Sequence, residues 1–151
     1  MREILFRGKR TDNGKWKCGD LLSPNEFNAI PHIVYIAYLN EYGDIGEIST
    51  PVIPETVGQF TGLTDKNGVR IFEGDIVKCT DTINDFEFNA VVEFGNPNGE
   101  YNWGYQLKFI SGEESNFDIL CWVDMEETGA YIEIIGNIHD NPELLEGGEG
   151  E

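Results

Sequence analysis

Residues 86–94 read Phe86-Glu87-Phe88-Asn89-Ala90-Val91-Val92-Glu93-Phe94. Polar and apolar side chains alternate through most of the run, and its residues favour extended backbone, so it predicts a strand. Working outward, 131–138 (Y-I-E-I-I-G-N-I) reads the same way, while 33–39 (I-V-Y-I-A-Y-L) has no polar alternation and predicts a strand buried on both faces. Further strand candidates are 2–7, 15–22, 56–61, 75–79, 101–110 and 117–123, the last of which has apolar spacing that also fits an amphipathic helix over 117–127. Asn13-Gly14, Pro51, Pro54, Asn67-Gly68 and Asn96-Pro97-Asn98-Gly99 punctuate them. An Asn-Gly pair tolerates φ > 0 at both residues and makes the tight turn that matches strand twist. Helix is confined to the end, where Asn141 can cap, Pro142 suits the first helical position, and Glu143-Leu144-Leu145-Glu146 follow. The fold class is mainly β, with less than about a quarter of the chain helical.

Beyond Gly74-Asp75 come five strand candidates, 75–79, 86–94, 101–110, 117–123 and 131–137, then the helical turn. Five short antiparallel strands in that order suit a small SH3-like barrel. The expected organisation is a β-rich N-terminal subdomain over 1–58, an irregular α+β cap with its own hairpin, followed by the SH3-like barrel over 59–146. Residues 147–151, Gly147-Gly148-Glu149-Gly150-Glu151, lack any apolar side chain and predict a disordered acidic tail.

The chain has 151 residues, 40% hydrophobic and 12% aromatic, enough to bury a core without staples. Its longest strongly apolar run, 33–39, is far short of the ~20 residues that span a bilayer, and the N-terminus has no signal-peptide core. Cytoplasmic residence, with no membrane partner, is the expectation. Net charge is −18, unevenly spread. Residues 1–20 carry six Lys or Arg against three acids, whereas from Cys79 onward Lys108 faces 17 acids alone. A field of that sign repels phosphate backbones and attracts basic partners, so direct nucleic-acid binding is disfavoured. Cys18, Cys79 and Cys121 have neither zinc nor redox spacing and read as small buried side chains.

One internal echo stands out. Phe6-x-Gly8, Thr11-Asp12, Asn13-Gly14 and Gly19-Asp20 recur in order as Phe60-x-Gly62, Thr64-Asp65, Asn67-Gly68 and Gly74-Asp75. Each copy predicts a hairpin followed by a Gly-Asp bend into a new hydrophobic run, and the two backbones are expected to be alike. Asp65-Lys66-Asn67-Gly68 fails as a calcium loop, lacking the third oxygen ligand before its Gly and the Glu at the twelfth position.

No nucleophile elbow, phosphate loop, zinc-protease motif or dinucleotide fingerprint occurs. His32 and His139 are the only histidines, each alone in sequence. Neither has a nameable orienting acid and nucleophile, so no catalytic, cofactor-binding or metal-binding residue is assigned and the chain reads as a non-enzyme. The candidate interaction surface combines the basic Arg7, Lys9 and Arg10 with Tyr101, Trp103 and Tyr105, which share one strand parity.

Several runs carry a family resemblance: Phe6-Arg7-Gly8-Lys9 with Gly14-Lys15-Trp16, Gly58-Gln59-Phe60-Thr61-Gly62-Leu63-Thr64-Asp65-Lys66-Asn67-Gly68, Ile71-Phe72-Glu73-Gly74-Asp75-Ile76-Val77, and Ile135-Gly136-Asn137-Ile138-His139-Asp140-Asn141-Pro142-Glu143-Leu144-Leu145. In order and density they resemble the YopX family of small phage and prophage proteins over nearly the whole chain. Lys17-Cys18 departs from the aliphatic-aromatic pair more common there before Gly-Asp. The resemblance implies a phage-derived cytoplasmic protein with a β-rich fold, and it implies no catalytic residue. The functional expectation is a non-enzymatic accessory module that binds a host or phage protein. The alternative is an acidic nucleic-acid mimic that occupies a basic DNA-binding protein; a hydrolase ranks third and would need a pocket joining a histidine to a carboxylate. The basic N-terminal hairpin, set against an acidic remainder, also suggests a homo-oligomer.

Overall fold

The computed structural model describes residues 3–26, 29–95, 104–110, 116–119, 122 and 129–146. Strand accounts for 58% of them, all of it antiparallel, so the protein is mainly β. The chain divides into two compact units, Met1–Phe60 and Thr61–Glu151. The expected acidic tail, 147–151, lies outside the described residues.

The first unit is a meander of β1 (Phe6–Lys9), β2 (Trp16–Leu22), β3 (His32–Leu39) and β4 (Ile45–Pro51), with the start of β5 (Gly58–Thr64) beside β1. It is thus more regular than the cap expected from sequence. Among its described residues the one helical piece is a single 3₁₀ turn, Pro54–Thr56, where a strand start was expected. The Thr56 hydroxyl accepts from the Lys9 amide (2.9 Å) and donates to the Ile53 carbonyl (2.6 Å), tying that turn to β1. Residues 33–39 do not end up buried on both faces. Ile33 is fully buried, but Ile36, Tyr38 and Leu39 are exposed, because the β3–β4 hairpin runs past the end of the core.

In the second unit the end of β5 lies beside β6 (Arg70–Phe72). A five-stranded sheet follows in the order β10-β9-β8-β7-β11, built from β7 (Asp75–Asp81), β8 (Phe86–Gly95), β9 (Gly104–Phe109), β10 (Asn116–Asp118) and β11 (Ala130–Asn137). Register explains the core. Val77 faces Ala90, Cys79 faces both Phe88 and Ile132, and Val92 faces Leu107, so one sheet face is a continuous apolar layer. The alternation in residues 86–94 is what sets this face. Among the described residues no pairing joins β10 to β11, so the barrel closure expected from sequence is not among the ladders. The strand expected over 117–123 stops after Asp118; Ile119 and Trp122 stand in helical backbone, and that spacing buries both against the core.

The two echoed hairpins agree at glycine and differ at aspartate. Gly14 and Gly68 both adopt left-handed backbone (φ 71° and 81°). In the first copy the Gly14 amide donates to the Arg10 carbonyl four residues back, and Asp12 turns outward to Arg10. In the second the Gly68 amide donates to the Asp65 carbonyl three residues back, and Asp65 is buried. The expectation of like backbones therefore fails at the turn. Gly-Asp keeps a topological meaning: β2 pairs with β1 up to Gly19 and with β3 from Asp20, without a bend, whereas Gly74 (φ 92°) makes a true turn from β6 into β7.

Candidate functional site

The Asp65–Gly68 turn sits against β11 within the second unit. The Asp65 side chain accepts from the Asn67 and Val69 amides (2.9 and 3.0 Å) and, across 69 residues of sequence, from the Ile134 amide (3.1 Å). The Lys66 amide donates to the Ile132 carbonyl (2.9 Å). Partial burial pushes the Asp65 carboxyl up, but the amides of Ile134, Val69 and Asn67, with Lys66 nearby, outweigh it and hold the group below its ordinary value. Asp65 is therefore a fixed anion that fastens the turn to the sheet.

Fastening the turn leaves a cleft of about 130 Å³ lined by Thr64, Asp65, Lys66, Trp122, Ala130, Tyr131 and Ile132. Its apolar wall is fixed from below: the Trp122 indole N–H donates to the Tyr131 carbonyl (3.2 Å), and its ring meets Phe88 edge-on at 5.2 Å. At the rim, Lys66 Nζ lies 4.7 Å from the centre of the Tyr131 ring and 3.6 Å from Glu133. An apolar cavity of about 150 Å³ takes up a benzene-sized group, so this cleft has room for a single side chain. Among the described residues its lining has one carboxylate, Asp65, and no histidine.

The C-terminal end of β11 is fixed by a second turn. The Asn137 side chain accepts from the His139 and Asp140 amides (3.0 and 2.9 Å), and the Ile138 amide donates to the Gly74 carbonyl (3.0 Å). His139 is thus placed as a turn residue. Pro142–Glu146 follows as the 3₁₀ form of the short helix read from sequence.

The chain matches the family model described as YopX protein over residues 5–146, nearly its full length. It belongs to the YopX family. Protein EF1440 from Enterococcus faecalis, known from a crystal structure, is similar in fold, with a TM-score of 0.54 at 23% identity over 96% of this chain and 99% of that one. No curated protein matches the chain. Two of the runs that carry the YopX resemblance, 58–68 and 71–77, reach β11 and the turn after it: Asp65 holds Ile134, Lys66 holds Ile132, and Gly74 holds Ile138. Their chemistry is that of turns and backbone caps.

Of the surface residues proposed from sequence, Arg7, Lys9 and Arg10 lie on or next to β1 and are locally engaged. Arg10 makes two hydrogen bonds to the Asp12 carboxylate (3.0 and 2.7 Å). The Arg7 guanidinium stands 4.6 Å from the centre of the Trp16 ring and Lys9 Nζ 5.7 Å from it. Tyr105 packs edge-on against Phe94 (5.0 Å) and rests on the core cluster. Tyr101 and Trp103 lie outside the described residues. Sequence reasoning missed the cleft, because Asp65 and Tyr131 come together only through pairing of the turn with β11. Cys79 is buried, which pushes its thiol up to about 12, whereas Cys18 is exposed, contrary to the sequence reading. Cys121 lies outside the described residues, among which no cluster of three metal-ligating side chains occurs. No described helix is long and apolar enough to cross a membrane.

Proposed function

We propose that this chain is a non-enzymatic protein-interaction module, encoded by a phage or prophage and acting in the bacterial cytoplasm on a host or phage protein. The observation that carries the reading is the cleft beneath the Asp65–Gly68 turn: side-chain-sized, apolar at its wall, and rimmed by Lys66, Tyr131 and Glu133. A fixed aromatic and aliphatic wall with a polar rim is how a small interface anchors one partner side chain. The surrounding unit carries four Lys or Arg against 20 acids, so a partner with basic residues flanking its anchor is favoured. The test is capture from a bacterial lysate with wild type and with Tyr131→Ala plus Lys66→Ala. Retention that survives high salt and disappears in the double variant supports the module.

A second reading, nucleic-acid mimicry, draws on the net −16 of residues 79–151. It requires a spread of charge instead of a cleft, so capture would collapse with salt and ignore the double variant.

A further inference from the structure

The rim of the cleft beneath the Asp65–Gly68 turn already holds a cation. Lys66 Nζ stands 4.7 Å from the centre of the Tyr131 ring and 3.6 Å from Glu133 Oε1. Tyr131 and Glu133 alternate with Ile132 on β11, so they share one sheet face and form a seat with an aromatic floor and an anionic side. Its occupant comes from the neighbouring turn and is loosely held. The Lys66 and Glu133 side chains are 38% and 39% exposed, and ion pairs this open to water contribute little. The Lys66 backbone is fixed separately, by its amide on the Ile132 carbonyl, so the turn stays attached wherever the side chain lies.

The cleft beside this seat sorts the groups that can fill it. Ala130, Ile132 and Trp122 give it an apolar wall, and its volume of about 130 Å³ is room for one side-chain stem. Asp65 adds a charge. Of the roughly four acceptor sites on a carboxylate, amides take three, which fixes the anion without neutralising it. A wholly apolar anchor would strip water from that carboxylate and return nothing to it. A side chain with an apolar stem and a cationic head suits both wall and charge. The surrounding unit, with four Lys or Arg against 20 acids, attracts such a group.

We propose that the side chain this cleft takes from a partner is an arginine, whose guanidinium replaces the Lys66 ammonium between Tyr131 and Glu133 while its stem enters the cleft; the inference rests on the reading of the cleft as a protein-binding site. A partner lysine would exchange like for like against a resident tethered beside the seat, and so gains nothing there. A guanidinium is planar and weakly hydrated, stacks on an aromatic face and makes two hydrogen bonds to one carboxylate, contacts that an ammonium lacks. Lys66 is thus the residue that sets specificity: it covers Tyr131 and Glu133 against weaker occupants and yields to arginine.

The probes are the peptide acetyl-Gly-Arg-Gly-amide and its citrulline and lysine counterparts, titrated into the isotope-labelled full chain and followed by NMR. The expected result is a saturable shift of the Lys66, Tyr131 and Ile132 amide resonances with the arginine peptide. Both counterparts should bind about 10-fold more weakly, since citrulline keeps the shape without the charge and lysine keeps the charge without the planar fork. Lys66→Gln empties the seat and keeps the backbone bond to Ile132, so it should tighten the arginine peptide by about 3- to 5-fold, a gain that misfolding does not produce. Adding Tyr131→Leu to that variant should abolish the gain. An arginine peptide that shifts nothing at the cleft, binds no better than its citrulline form, or is left unchanged or weakened by Lys66→Gln overturns the proposal. If lysate capture is still lost with Tyr131→Ala plus Lys66→Ala, that failure belongs to the arginine seat alone. Arginine-selective binding beside capture that ignores the double variant would support the seat and overturn the interaction-module reading.

Discussion

Replacing Asp65 by alanine removes the acceptor for three amides at once. Two of them, Asn67 and Val69, belong to the exposed turn, and each lost bond costs roughly 0.5–1.5 kcal/mol. The third, on Ile134, lies in a partly buried sheet position where an unpaired amide costs roughly 1–3 kcal/mol. Because the three share one carboxylate their losses overlap, and the expected destabilisation is about 3 kcal/mol, read as a fall in the urea midpoint at constant slope. Asp65→Asn keeps one oxygen but sets an amide group against the remaining donors, so about half that loss is expected. The sign with pH follows from the folded-state carboxyl lying below its ordinary 3.8. Its stabilisation is complete above the unfolded value and is lost as pH falls from there through the folded value. The gap between wild type and Asp65→Asn should therefore close over that interval. An alanine variant as stable as wild type, or an asparagine gap constant through the interval, would refute the assignment of Asp65 as the fastening anion.

The remaining expectations rest on single features. Gly74→Ala has room for its methyl group, the nearest atoms lying at 3.8 Å, so its cost is that of φ 92°, about 1–2 kcal/mol by denaturant titration; a neutral result would contradict that backbone. Cys79→Ser should leave the number of rapidly reacting thiols at neutral pH unchanged, while Cys18→Ser lowers it by one, since burial holds the Cys79 thiol near 12. A chelator should not move the thermal midpoint, and a large drop would reveal a carboxylate site assembled from distant segments.

The sheet core was legible where alternation is strict. Ala90 and Val92 are found on the core face, with Phe88 packed beside them, because a period of two leaves few other ways to bury that side. Strand β4 was missed: Ile45-Gly46-Glu47-Ile48-Ser49-Thr50-Pro51 holds Gly, Ser and Pro, and only its pairing with β3 makes it a strand. The opposite error at 33–39 has the same root, since sequence reports how apolar a segment is and not whether the core extends that far. At 117–123 both periods fit the apolar spacing: Phe117 and Asp118 are strand, while Ile119 and Trp122 stand in helical backbone. Of the candidate site, the Asp-Lys-Asn-Gly turn was visible, but its partner on β11 was not, because contacts separated by 69 residues leave no local signature.

The proposed engagement of a protein partner by the cleft beneath the Asp65–Gly68 turn comes down to one assay. Its most direct test is crosslinked capture from a bacterial lysate by wild type and by the Tyr131→Ala, Lys66→Ala variant, each at low and high salt and each checked for folding by circular dichroism. The expected result is a discrete protein retained by wild type at both salt concentrations and lost with the folded variant. Capture of nucleic-acid enzymes that vanishes in salt and is equal for both forms would contradict it.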